Sequence, residues 1–330
     1  MDQPVLDLPT LDDVREAAER IALFAVRTPL IESPALTSLV GARVLLKVET
    51  LQRTGSFKFR GAYNRASRVN RERHPGGVVA ASSGNHAQGV AEAARLLDLK
   101  AAIVMPKDAP LIKIANTRAA GAEVILYDRD RESRDEIAGN LARDRRADLI
   151  HPFDDRHIIA GQGTVGLELI DDARRLGVDI NHVLVPVSGA GLVTGIGLAV
   201  KTLSPGTLVH PVEPQGFDDL RRTLESGSRQ RNAATSGSIC DALLAPEIGR
   251  LNLALARKLL SRGLVASDAD VKAAMRRAFE TLKLVVEPGG VIGLAALLAK
   301  ALPVEGKTIA VVLSGGSVDP EQFAEILIED

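Results

Sequence analysis

Val183-Leu184-Val185-Pro186-Val187-Ser188-Gly189-Ala190-Gly191-Leu192-Val193-Thr194-Gly195-Ile196-Gly197-Leu198-Ala199-Val200 is the longest stretch of the chain without a charge. Its length is about the minimum for a helix that crosses a bilayer, but Pro186 and four glycines interrupt it. The stretch reads instead as a buried strand, a tight turn and an apolar helix. The backbone amides of Ser188, Gly189, Ala190, Gly191 and Leu192 would then point at a phosphate, because small residues let the main chain come close and a helix N-terminus adds roughly half a positive charge. A plain tight turn is the other reading. Gly189, Gly191 and Gly195 also resemble the glycine spacing of dinucleotide-binding turns, with the next apolar run ending near Glu213, where a ribose-binding acid would lie. A nicotinamide-dependent dehydrogenase therefore stays open at this point.

Outward from this unit, short β-branched runs alternate with helical patterns: Val44 to Val48, Val78 to Ala81, Ala101 to Met105, Glu123 to Tyr127, Leu208 to Val212 and Thr308 to Leu313. Leu111 to Ala120 and Ile158 to Leu176 carry apolar residues at helical spacing and end near Gly121 and Gly177. Such alternation predicts an α/β chain with parallel sheets covered by helices and joined by right-handed crossovers. Glycine and serine gather where strands end, at Ser82 to Asn85, Ser188 to Gly191 and Ser314 to Ser317, the edge at which such sheets hold ligands. The polar stretch from Glu225 to Gly237 reads as a surface loop.

With 330 residues, 45% of them hydrophobic, the chain is long enough for a large core and two lobes. Forty-one basic and 42 acidic residues leave a formal charge of −1, so no overall field draws the chain to nucleic acid or an anionic membrane. Its partners are expected to be small molecules or copies of itself. The single Cys240 excludes an internal disulfide and a cysteine-rich zinc site and suits a reducing compartment, with the cytoplasm as the default. Met1 to Val26 lacks the basic start and apolar core of a secretory signal.

Lys58 stands in Thr54-Gly55-Ser56-Phe57-Lys58-Phe59-Arg60-Gly61, near the start of an expected helix. Most lysines are solvated surface charges. A lysine against aromatic rings loses hydration in its charged form, so its pKa falls and the neutral amine can condense with a carbonyl. Ser82-Ser83-Gly84-Asn85-His86-Ala87-Gln88 follows a strand and opens a helix. One hydroxyl or amide is enough for an N-cap, and this turn supplies four polar side chains, a group fit to hold a carboxylate. His86 is a candidate base. The other histidines, His74, His151, His157, His182 and His210, lie at no metal-ligand spacing, and no strand-following serine sits in a Gly-x-Ser-x-Gly elbow.

Taken together these segments resemble the threonine and serine dehydratase branch of the fold-type II pyridoxal-phosphate enzymes, which includes serine racemase. The likeness covers nearly the whole chain. It rests on Thr54 to Lys58 with Arg60-Gly61-Ala62, Ser82 to Gln88, Gly161-Gln162-Gly163-Thr164, Glu213-Pro214 with Asp218-Asp219, Glu287-Pro288-Gly289-Gly290, and Ser314-Gly315-Gly316. The resemblance implies a two-lobed fold like that of the tryptophan synthase β chain. Its large cofactor-binding domain would comprise residues 1–70 and 153–330, and its small mobile domain residues 71–152.

The same resemblance implies that Lys58 carries pyridoxal 5'-phosphate as a Schiff base, with Phe57 packed near it. Asn85 would hydrogen-bond the pyridoxal hydroxyl, the Glu287 segment would line the cofactor site, and Ser188, Gly189, Ala190, Gly191 and Leu192 would cradle the phosphate. The family usually has four glycines in that turn, and Ala190 limits the local dihedrals. Ser314 would face the pyridine nitrogen, where a hydroxyl cannot keep the ring protonated as a carboxylate would, which favours elimination over transamination. In the implied reaction Lys58, freed by the substrate amine, removes the α-proton and the β-hydroxyl leaves. A 2-oxo acid and ammonia result. Ser83, on the opposite face of the ring, would reprotonate the carbanion in a racemase. Glu213, the Phe217 carbonyl and Asp219 match a site for Mg²⁺ or Ca²⁺ in some relatives, or are two solvated acids.

Ser82, Ser83, Asn85 and His86 would bind the α-carboxylate common to all amino acids, so the side chain must be read elsewhere. Arg134 matches a position that contacts a second carboxylate in acid-binding relatives, which admits 3-hydroxyaspartate, or it is a surface arginine. Ser238 to Pro246 is expected to face the substrate and departs from the usual threonine-dehydratase sequence. It resembles hydroxyectoine-utilisation and phenylserine-type members instead. The end at Asp330 leaves no room for a regulatory domain, so isoleucine feedback is not expected, and the likeness implies a homodimer. A non-catalytic relative that kept the fold is the remaining class.

Overall fold

The computed structural model describes residues 6–82, 84–109, 111–128 and 131–329, apart from the side chain of Ile112. Among them the strands, in chain order, are β1 (Leu30–Glu32), β2 (Arg43–Val48), β3 (Val78–Ala81), β4 (Ala101–Pro106), β5 (Glu123–Tyr127), β6 (Asp148–Leu149), β7 (His182–Pro186), β8 (Leu208–Pro214), β9 (Leu264–Ala266) and β10 (Thr308–Leu313). The helices are α1 (Leu11–Ile21), α2 (Pro34–Val40), α3 (Lys58–Ala66), α4 (Asn85–Leu96), α5 (Leu111–Ala119), α6 (Arg134–Asp144), α7 (Arg156–Arg175), α8 (Gly191–Leu203), α9 (Asp219–Ser226), α10 (Arg250–Leu259), α11 (Asp268–Arg277), α12 (Pro288–Leu298) and α13 (Pro320–Ile328).

Two sheets result. One has the order β1-β2-β10-β7-β8-β9 and the other β5-β4-β3-β6. Every strand pair is parallel except β1 with β2, where Leu30 faces Lys47. Side-chain alternation explains why the larger sheet is covered on both faces. Val44, Leu46, Leu184, Ile309 and Val311 pack into one apolar cluster with α11 and α12, whereas Leu45, Val183, Val185, Ala310 and Val312 pack into another with α7 and α8. The smaller sheet repeats the pattern, Val78, Ala80, Ile103 and Met105 on one side and Val79, Ala102 and Val104 on the other. No helix among the described residues is long and apolar enough to cross a membrane.

Helices α3, α7 and α8 meet at backbone distance, which accounts for Gly161-Gln162-Gly163-Thr164. A Cβ on Gly161 would stand 2.6 Å from the Gly61 Cα, and one on Gly195 would stand 2.7 Å from the Gly163 amide. Gln162 accepts from the Gly61 amide at 3.2 Å and Thr164 accepts from Arg60 at 3.2 Å. Arg60 is fully buried, with Glu49 at 2.8 Å and Glu168 at 2.7 Å, and Lys47 completes the group with Glu168 at 2.7 Å. A buried ion set holds together only when its donors and acceptors are matched, as they are here. It pins the first turn of α3, and with it Lys58.

The sequence places the longer strands well and misses β1, β6 and β9, each two or three residues long. The expected surface loop from Glu225 to Gly237 is corrected at two points. Glu225 and Ser226 close α9, and Asn232 is buried, donating to Asp219 at 2.8 Å and to the Ala245 carbonyl at 3.0 Å.

Candidate active site

Chain segments far apart in sequence converge at the carboxyl ends of β2, β3, β7 and β10. Ser56 forms a backbone bridge with Gly315, and the Phe57 amide donates to the Ser314 carbonyl at 3.1 Å, so the Lys58 segment is tied to the loop after β10. Asn85, at the start of α4, donates to Glu287 Oε1 at 2.5 Å. Gly315 lies where these groups meet: a Cβ there would stand 2.2 Å from Glu287 Oε1, 3.1 Å from the Ser56 Cβ and 3.2 Å from Asn85 Nδ2.

Lys58 is the first residue of α3, and its Nζ donates to the Pro152 carbonyl at 2.9 Å, 5.2 Å from the centre of the Phe57 ring. Burial lowers its pKa to about 8, against the opposing pull of the Glu287 carboxylate. Burial likewise raises Glu287 to about 7, with Lys113 the strongest charge drawing it down and Asp241 pushing it up. His86 donates from Nε2 to the Ile150 carbonyl at 3.2 Å, and burial, reinforced by Lys58, lowers its pKa to about 3. It is a neutral ring at physiological pH, which fits a positioning contact better than a base.

The turn between β7 and α8 leans on residues that sequence reasoning missed. The Phe153 ring fills the space beside Gly189, where a Cβ would collide with it at 2.1 Å. Asn252 holds the Phe153 carbonyl at 2.9 Å and accepts from Thr194 at 2.6 Å, while Asp154 caps α10 through the Arg250 and Leu251 amides, each at 2.9 Å. Ser188 Oγ accepts from the Ala245 amide at 3.3 Å. Ala190 sits at φ +73°, a left-handed conformation that costs an alanine but not a glycine. Nothing in the sequence marks the Pro152 carbonyl, since a backbone acceptor has no residue signature; His151-Pro152-Phe153-Asp154-Asp155 was the stretch to question.

Other expected site residues fall as follows. Ser82 is partly buried and accepts from the Gly84 amide at 3.2 Å, whereas Ser83 lies outside the described residues. Leu192 is buried in the first turn of α8. Arg134 begins α6 with a side chain 46% exposed, 3.3 Å from its neighbour Asp135. Glu213 and Asp219 are both buried, and Phe217 is buried between them in the chain. Glu213 accepts from the Leu220 and Arg221 amides at 2.9 and 2.7 Å, which turns it to the start of α9 and not to a ribose. Burial and then the neighbouring Asp219 raise Glu213 well above the usual range, and burial raises Asp219 to about 6.

Buried polar atoms without a hydrogen-bond partner are costly and few in folded proteins, yet Ser56 Oγ, Asn85 Oδ1 and Glu287 Oε2 are three of them, gathered around Gly315 beside the Lys58 segment. A bound polar ligand would supply the partners that these atoms lack. The family model described as pyridoxal-phosphate dependent enzyme matches residues 21–315.

The chain belongs to the pyridoxal-phosphate-dependent enzyme family.

Within the family, it is 41% identical over 322 residues to an L-threo-3-hydroxyaspartate ammonia-lyase of Pseudomonas sp, covering 98% of this chain and 99% of that protein. Among solved structures it matches a T.th. threonine deaminase with a TM-score of 0.89 and 45% identity, covering 94% of this chain and 99% of that one. Maize serine racemase gives a TM-score of 0.90 and 36% identity, with 96% of each chain covered. Family membership removes the nicotinamide reading of the glycine turn.

Proposed function

We propose that this chain is an ammonia-lyase that converts a small β-hydroxy amino acid, such as serine, threonine or 3-hydroxyaspartate, to a 2-oxo acid and ammonia. The observation that carries the reading is the Lys58 amine: held under the Pro152 carbonyl, brought to a pKa of about 8 by burial, and set in the same crevice as Asn85, Glu287 and Ser314. Pyridoxal phosphate, when bound, supplies an electron-withdrawing ring that makes the substrate's α-proton removable. Lys58 would hold it covalently and, as a free amine, would take that proton, since a pKa near the working pH keeps a useful fraction of the amine neutral. Phe57 packs beside Lys58. Asn85, Glu287 and Ser314 would hold the cofactor's ring, and Ser188 to Leu192 would hold its phosphate.

Ser82, Asn85 and His86, with Ser83, take the α-carboxylate at the start of α4, where the helix N-terminus favours an anion. The similar ammonia-lyases and deaminase support elimination as the main activity. The likeness to maize serine racemase supports racemisation as a second reading, with Ser83 as its proton donor. Residues 71–152 act as a small domain that closes on residues 1–70 and 153–330, and the enzyme works in the cytoplasm as a homodimer. Glu213, the Phe217 carbonyl and Asp219 hold Mg²⁺ or Ca²⁺: Asp219 Oδ2 is buried without a partner, and a divalent cation would relieve the repulsion between the two acids.

The test is release of ammonia and 2-oxo acid from L- and D-serine, threonine, 3-hydroxyaspartate and phenylserine by protein loaded with pyridoxal phosphate. Wild type should release both products in equal amounts from at least one of them, and Lys58→Ala none. Product release that persists in Lys58→Ala would refute the role of Lys58, and a loaded wild type inert on the whole panel would refute the elimination reading.

A further inference from the structure

Lys113, on α5, is a lysine with a side chain only 9% exposed, and lysines are seldom buried without a full set of partners. Its ammonium has three donors, yet among the described residues its one hydrogen-bond partner is Asp241 Oδ2, at a long 3.4 Å and on a side chain 59% exposed. The ammonium also lies 3.8 Å from the place a Cβ on Gly84 would occupy, against the turn that opens α4. Lys113 is also the first among the charges that draw down the buried Glu287 carboxyl.

We infer that Lys113 reads a carboxylate on the β-carbon of the substrate, and that Asp241 is the protein's own carboxylate, released when such a substrate enters. The inference rests on the crevice being the substrate site. The amides and polar side chains at the start of α4 supply donors for one carboxylate, the one every amino acid carries. Lys113 adds a full cation next to that set, hence a second anion-binding point a short distance away. Asp241 already shows which chemical group the point accepts. Its hold is weak, because a long pair with one half-exposed partner contributes little, and an exposed aspartate returns to water at small cost. A substrate with a neutral side chain leaves the Lys113–Asp241 pair in place. One with a β-carboxylate exchanges for Asp241 and gains a shorter, better-buried ion pair. Arg134, 46% exposed and beside Asp135, is the competing cation.

Binding of L-aspartate and L-alanine to the enzyme loaded with pyridoxal phosphate, measured by titration calorimetry, separates these accounts without requiring turnover. Lys113→Gln should weaken aspartate by about tenfold or more, the usual loss for a hydrogen bond to a charged group, and alanine by no more than about twofold. Asp241→Asn, which removes the internal competitor, should tighten aspartate and leave alanine unchanged. A tether between the two sheets would instead make both variants weaken both ligands alike, and that result overturns the inference. So does an aspartate loss found in Arg134→Ala and absent from Lys113→Gln. If Lys113→Gln does not fold, the exposed Asp241→Asn decides, since unchanged or weaker aspartate binding contradicts the exchange. Release of 2-oxo acid by the wild type is scored separately, so the ammonia-lyase reading can fail while the aspartate-to-alanine ratio still judges Lys113.

Discussion

Ala190 is the residue at which sequence and geometry disagree most sharply. At φ +73° it occupies a conformation that disfavours an L side chain, just where the chain turns from β7 into α8. The surrounding packing maintains it: Gly189 is pressed by the Phe153 ring, and the Thr194 amide donates to the Ala190 carbonyl at 3.0 Å. Replacing it with glycine removes the steric cost, about 1 kcal/mol after the entropy that glycine loses on folding. Ala190→Gly is therefore expected to unfold at higher denaturant concentration than wild type, and an unchanged or lower midpoint would contradict the strain. At this scale the sequence was partly legible. Lys58 and the polar turn around Asn85 stood out by residue type and setting, whereas their expected roles, that of Ser314, and the missing glycine at Ala190 came from the resemblance to a known family. The Pro152 carbonyl, the Phe153 ring and Lys113 were not, since their importance comes from what lies across the crevice.

Elements are held by contacts that a single-strand reading sees only as glycine enrichment. Gly61 on α3, Gly161 and Gly163 on α7 and Gly195 on α8 allow three helices to touch at backbone distance, and Lys58 rides on the first of them. Gly161→Ala must push a methyl group into the Gly61 Cα and the Arg60 carbonyl, with 2.6 and 2.8 Å available. Overpacking of this kind costs about 1–3 kcal/mol, so equilibrium unfolding should show a loss of that size, and a neutral substitution would mean the helices separate freely. On β8, His210 donates from Nδ1 to the Arg262 carbonyl at 3.0 Å and accepts from His182 at 3.0 Å, and burial lowers its pKa to about 4. The folded pKa is depressed below the ordinary histidine value of 6.5, so the unfolded chain binds the proton first. Stability from this ring is present above about pH 6.5 and lost as the pH falls towards 4, by up to about 1.4 kcal/mol per pH unit. His210→Asn should flatten the dependence of unfolding free energy on pH in that window, and an unaltered slope would show that His210 does not titrate with folding. Strand existence was legible from apolar runs of four or more residues, and β1, β6 and β9 were not, because two or three residues at a sheet edge carry no period.

Across the whole molecule, two mostly parallel sheets bring the carboxyl ends of their strands together, and the groups that meet there come from segments as distant as Ser56, Asn85, Glu287 and Gly315. That convergence is a product of topology, so alternation along the chain foretold the sheets but not which turns would face each other. The resemblance to a known family supplied that step, and family membership now stands on the match over residues 21–315. In the proposed reading the substrate's side chain is left to the crevice walls, where Lys113 on α5 meets Asp241 from a segment far along the chain. The central claim is that one amine, Lys58, holds the cofactor and performs the proton transfer. Borohydride reduction of the protein loaded with pyridoxal phosphate, followed by mass mapping of its peptides, tests that most directly. The account predicts a single phosphopyridoxyl adduct, on the peptide that contains Lys58, and no adduct in Lys58→Ala. An adduct at another lysine in both proteins, or no adduct in the wild type, would contradict it.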